Sequence, residues 1–118
     1  MVQVWLAAGL GAAFMLLGIV AVVRPRAAAR GYGIAAEGPL AQSWAAAAGW
    51  RDAAAGAMIL AVSAVGGSTA LGSVVLAAVL IPVGDVLVLA RARVRSPGSY
   101  GPHTAAAAAM TALGLWLL

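Results

Sequence analysis

The chain has no cysteine and no lysine, and only 8% of its 118 residues are charged. The missing cysteine excludes disulfides, thiol redox chemistry and cysteine-ligated metals. The shortage of charge excludes an ordinary soluble domain, in which about 25% of residues are charged. A fold of this length in water needs a polar skin that these side chains cannot supply. His103, the only histidine, could ligate a metal with Asp52 and Asp85, but Arg51 beside Asp52 would repel the cation, so no metal site is expected. The sequence has no phosphate-binding loop, no serine–histidine–aspartate pattern and no dinucleotide fingerprint. Ser43, Ser63 and Ser73 have no visible activating partner, and no cofactor is expected.

What the chain does have is apolar length. Hydrophobic residues make up 64% of it, in runs long enough to fill a bilayer. All basic residues are arginine, and the net charge is +4. In a soluble protein that excess would suggest a nucleic-acid partner. Beside long apolar runs it reports membrane topology instead, and no nucleic acid is expected.

Four spans are expected, at residues 2–23, 44–65, 70–90 and 103–118. A signal peptide would carry its positive charge before the first run. Here Arg24, Arg26 and Arg30 follow it, which favours a retained span. Residues 24–43 hold Pro25, Gly31, Gly33, Gly38 and Pro39 and read as a loop, with one surface turn at 27–30. Gly66-Gly67-Ser68-Thr69 reads as a tight turn, and residues 91–102 as a second basic loop. The last span is short and Ala-rich.

The arginines set the orientation. Arg24, Arg26, Arg30, Arg91, Arg93 and Arg95 fall on one side, and the 66–69 turn on the other has no charge. The positive-inside rule makes the arginine side cytoplasmic. Trp5 and Trp116 would mark the outer interface, and Trp44 and Trp50 the inner one. The expected fold class is therefore all-α: a polytopic protein of the cytoplasmic (inner) membrane. Its four transmembrane helices form an up-down bundle with both termini extracytoplasmic. Membrane lipids are the expected surroundings.

Two further patterns are visible. Arg24-x-Arg26 with Arg30-Gly31-Tyr32-Gly33 has an echo in Arg91-x-Arg93-x-Arg95 with Tyr100-Gly101, the trace of a duplicated hairpin. Small residues recur at Gly11 and Gly18, Gly49 and Gly56, and along 105–109, where helix backbones can approach closely in lipid.

Four ionisable residues from three spans fall toward one side: Arg51, Asp52, Asp85 and His103. Arg51 and Asp85 lie at matching depths, roughly 7–10 Å from the cytoplasmic ends of their spans at 1.5 Å per residue. Charge at membrane depth is costly, so such residues face the interior and pair. A helix N-terminus favours negative charge and a C-terminus opposes it. That makes Asp52 the expected base and Asp85 the expected proton-holding acid, with Arg51 as organiser and His103 as proton shuttle. Gln42, Trp44 and Trp50 are expected ligand-lining residues. Pro82 and Gly84 would kink the helix beside Asp85 and open space there. Set against this, Arg51 and Trp50 can serve as an interface anchor and Asp85 as a register pin.

Gly49-Trp50-Arg51-Asp52 with Gly56, then Asp85 late in the third span and His103 opening the fourth, resembles the small four-helix membrane proteins grouped as domain of unknown function 4267. The resemblance covers nearly the whole chain. It implies a four-helix fold with these same polar residues, and no particular reaction.

Three functions follow as expectations. The first is a membrane enzyme performing cofactor-free acid–base chemistry on a lipophilic small molecule, by isomerisation, cyclisation or epoxide opening. The Asp–Arg–Asp order is similar in logic to epoxide hydrolases that activate water directly. The second is a transporter or exporter subunit, in which a homo-oligomer would build the pathway. Its weakness is that the acids sit toward one face rather than at the midplane. The third is a non-catalytic membrane scaffold whose arginines bind anionic headgroups.

Overall fold

The computed structural model describes residues 1–118, and the chain is helical throughout, with no strand. Its elements in order are α1 (Val2–Val23), α2 (Pro25–Tyr32), α3 (Gly38–Val65), α4 (Ser68–Ala78), α5 (Leu80–Arg91) and α6 (Pro97–Leu117). Val79 keeps right-handed helical angles (φ −57°, ψ −27°), so α4 and α5 join into one rod and the molecule has five helices. The seam between them has a cause. Pro82 has no N–H to donate and crowds the carbonyl four residues back, that of Ala78. The ladder tightens there, and the Val79 N–H bonds the Leu76 carbonyl at 3.2 Å.

Two expected loops prove partly helical. Within 24–43, Pro25 opens the eight-residue α2, and Pro39 stands in the first turn of α3. Pro97 likewise opens α6, so that helix starts at Pro97 rather than His103, and α3 at Gly38 rather than Trp44. These prolines start helices. At the first helical positions the missing N–H costs nothing and the fixed φ is already helical. The correction matters for the acids. Asp52 sits midway along α3, so the helix-dipole argument for it does not hold.

The two arginine-rich motifs also part company. α2 ends on Gly33 in the left-handed region (φ 103°), whereas α5 ends in a turn with Arg93 there (φ 55°). Tyr32 reaches across to α5, but the Tyr100 hydroxyl donates to the nearby Val94 carbonyl at 2.9 Å.

Glycine pairs hold the helices together. Gly11 meets Gly56 and Gly18 meets Gly49, so α1 and α3 run antiparallel with their backbones in contact. A methyl group on Gly18 would lie 2.5 Å from the Gly49 carbonyl oxygen, and one on Gly49 2.6 Å from the Gly18 oxygen. A third pair, not singled out in the sequence, locks the other half. A methyl on Gly72 of α4 would lie 2.8 Å from the Gly114 oxygen of α6. The alanine run is less involved, since Ala105, Ala108 and Ala109 are exposed.

Ala7, Ile59, Leu71, Val75, Met110 and Leu117 form the core, drawn from α1, α3, α4 and α6. Only 17 of 118 residues are buried, so most apolar side chains face outward, Trp5, Leu16, Leu17, Val23 and Leu80 among them. Two helices, α1 and the Ser68–Arg91 rod, are long and apolar enough to cross a bilayer, with mean hydropathy 2.5 and 2.4. α3 and α6 have the length, but Arg51 and Asp52 interrupt one and a polar first two turns open the other.

Candidate functional site

The polar residues converge where α3, α5 and α6 meet under α2. Arg51 and Asp52 come from the middle of α3, Asp85 from α5 and His103 from the second turn of α6. The starting residues of these helices set the levels. Pro97 opens α6 early enough to bring His103 opposite Asp85. The early start of α3 moves Arg51 and Asp52 away from its free N-terminus.

Asp85 is the centre. It is the only charged residue in the buried set, with 9% of its surface exposed. Its Oδ1 takes Arg51 Nη2 at 3.4 Å, and its Oδ2 lies 3.3 Å from His103 Nδ1. Arg51 also grips its neighbour. Its Nε donates to Asp52 Oδ1 at 2.8 Å, and its Nη2 stands 2.8 Å from the same oxygen. One guanidinium thus serves two carboxylates, as the sequence order suggested, and the imidazole takes the open side of the second. Arg51 is the outermost member, with 45% of its side chain exposed.

A fifth residue belongs to this group and was not among the expected site residues. Tyr32, the last residue of α2, donates its hydroxyl to the Asp85 backbone carbonyl at 3.0 Å. Its ring meets the His103 ring edge-on, with centroids 4.8 Å apart. Burial pushes its phenol up to about 12, and the nearby Asp85 charge adds to the rise, so it stays a neutral donor at any physiological pH. The sequence signal was the Arg30-Gly31-Tyr32-Gly33 motif. Gly33 supplies the left-handed cap that ends α2 at the tyrosine, and its α-carbon packs against Ser99 of α6.

The expected lining residues lie elsewhere. Gln42 serves α2: its amide oxygen accepts from Arg26 Nε at 2.9 Å and Nη2 at 3.2 Å. Trp44 and Trp50 point outward, with 71% and 66% of their surface exposed. Gly84 has open space around its α-carbon because it faces the outside of the helix, and Pro82 is buried. Around Asp85 stand Tyr32, Arg51 and His103. No three histidine, aspartate or glutamate side chains gather as a ligand set.

What the cluster can do chemically follows from its connections. No buried side-chain nitrogen or oxygen lacks a partner. Arg51 contacts both carboxylates, but its single positive charge balances only one of them. The His103 imidazole has two ring nitrogens, each able to donate or accept a hydrogen bond. With Nδ1 turned to Asp85, its Nε2 is the nitrogen left to exchange a proton.

Compared with known proteins, no curated protein and no solved structure matches the chain. A family profile does match, over residues 11–117, a stretch that holds all five residues of the cluster and all three glycine pairs. The chain belongs to the family described as domain of unknown function, DUF4267.

Proposed function

We propose that the protein is a four-span enzyme of the cytoplasmic membrane that performs cofactor-free acid–base chemistry on a lipophilic small molecule. Its longest dimension is 44 Å, close to the roughly 40–45 Å of a bilayer with its headgroups. The outward-facing apolar side chains suit a lipid solvent, and α3 and α6 complete the bundle begun by the two more apolar helices. Six of the seven arginines lie outside the spans at one end, which the positive-inside rule makes cytoplasmic. Both termini are then extracytoplasmic.

The single observation that carries the enzymatic reading is the His103–Asp85 contact at 3.3 Å, with Arg51 on the carboxylate's other oxygen. A carboxylate on one imidazole nitrogen sets the tautomer and steadies the imidazolium that forms when the other nitrogen takes a proton. The roles expected from sequence shift accordingly. Asp85 and Asp52 share a guanidinium, so they orient. His103 Nε2 becomes the acid–base group. In an isomerisation or cyclisation it removes a proton from one substrate atom and returns it to another, with no net change in the enzyme. In epoxide opening it takes a proton from water as the water oxygen bonds to carbon and the carbon–oxygen bond of the ring breaks, and it then returns that proton to the opened oxygen. Tyr32 is a neutral phenol that positions the imidazole through its ring.

A second reading, a non-catalytic membrane scaffold, is favoured by the closure of the same network, which suits a register pin between helices. Native mass spectrometry of the purified wild type beside His103→Gln and Asp85→Asn separates the two. The enzymatic reading expects a co-purifying lipophilic molecule whose mass or occupancy changes in both variants. If all three proteins carry only bulk phospholipid, and Asp85→Asn differs solely in melting temperature, the enzyme is rejected and the scaffold stands.

A further inference from the structure

A second polar feature lies outside the cluster, on the other side of α2. Arg26 and Arg30 stand one helical turn apart, and with Ala35, Ala36, Glu37 and Gly38 they line an open basin of about 480 Å³. The Gln42 amide holds the Arg26 guanidinium in place from α3. Two arginines and one glutamate leave the basin with a single positive charge. No other side chain in its wall is polar.

We propose that this basin binds the phosphate of an anionic phospholipid headgroup in the leaflet at the arginine-rich end. The residual single positive charge matches a phosphodiester, which carries one negative charge, better than a free phosphate, which approaches two. Arginine is suited to the task, because its planar fork meets two phosphate oxygens at once. The neighbourhood selects a lipid over a soluble anion. Gly38 forms part of the wall, and Leu40 and Trp44 follow it on the first turns of α3, exposed by 73% and 71%. Exposed apolar side chains within two turns of the basin's Gly38 suit a headgroup with acyl chains below it. α2 also carries Tyr32, so the bound lipid would hold the helix that covers His103. The inference rests on the membrane placement proposed above and is independent of the acid–base reading.

The test is lipid retention by native mass spectrometry. Protein would be equilibrated with mixed micelles holding equal phosphatidylglycerol and phosphatidylcholine. The wild type is expected to retain phosphatidylglycerol preferentially. Arg26→Gln/Arg30→Gln should lose that preference, by about fivefold per arginine. Arg91→Gln/Arg93→Gln/Arg95→Gln should keep it, because those residues lie outside the basin. Glu37→Gln, which removes the only acid in the wall, should raise retention, and it decides the matter if the double variant does not fold. His103→Gln should retain lipid as the wild type does, whatever its effect on turnover. Equal retention of the two lipids by the wild type, or of phosphatidylglycerol by wild type and double variant alike, overturns the proposal. So does an unchanged Glu37→Gln. Displacement of the lipid by inorganic phosphate, at concentrations where sodium chloride of equal ionic strength does nothing, would assign the basin to a soluble anion and equally overturn it.

Discussion

The α1–α3 seam and the α3–α5–α6 junction share a helix but are built by opposite means. Along the seam, Gly11, Gly18, Gly49 and Gly56 remove side chains so that backbones touch, and a methyl group on Gly18, Gly49 or Gly56 would run into the opposing backbone. At the junction, Arg51, Asp52, Asp85, His103 and Tyr32 meet through long polar side chains, with Arg51 half in the open. In lipid, apolar side chains gain little by leaving one apolar environment for another, so close packing carries the association of helices. The charges then do a different job. They fix which residues face each other.

The largest expected effect falls on the seam. Gly18→Leu or Gly49→Leu forces backbone apart from backbone and should destabilise the fold by about 3 kcal/mol or more. Thermal melting in detergent would show it. Gly9→Ala, at a position with nothing within 4 Å, is the control and should raise stability by up to about 1 kcal/mol. A gain of similar size at Gly9 and Gly18 would mean that the glycines act through helix propensity and not through contact.

The junction should respond less, because Arg51 is partly solvated. Asp85→Asn is expected to cost roughly 1–2 kcal/mol, below the usual range for breaking a fully buried pair. A double-mutant cycle with Arg51→Gln should return most of that as coupling, and a cycle near zero would leave the pair without energetic weight.

Smaller still is the effect of pH through Tyr32. Its folded value of about 12 lies above the ordinary 10.0, so the neutral phenol is the favoured form. The stability it contributes is fully present below about pH 10 and is lost as pH rises toward 12. Tyr32→Phe should remove the late step from an ultraviolet tyrosinate titration and flatten the loss of stability in that window. The smallest effect is expected at Arg93→Gly, which relieves a left-handed residue in an exposed turn for a gain of at most about 1 kcal/mol.

How legible the molecule was depends on which physical quantity each feature rests on. The all-helical fold and the bounds of α1 followed from run length and hydropathy, which are sums along the chain. The glycines of the α1–α3 seam were visible because close approach demands absent side chains at a seven-residue spacing. Gly72 and Gly114 were not, since neither has a second glycine seven residues away and each acquires meaning only from the other. Helix starts at Pro25, Gly38 and Pro97 were missed because proline stops a helix from the inside and starts one at its first turn. The letter alone does not say which.

The sequence by itself determined that ten charged side chains would have to be set in a mainly apolar body. It also determined that Arg51, Asp52, Asp85 and His103 would lie toward one end. Depth along a helix is a matter of counting residues: Arg51 and Asp85 count to matching depths, and His103 to a shallower one. Only the tertiary structure decided that Asp85 is shared between Arg51 and His103, that Tyr32 covers them, and that Gln42 turns away to Arg26. Those outcomes depend on the rotation of each helix about its axis and on the placement of α2. Both are set by contacts between residues far apart in the chain, which no local pattern records.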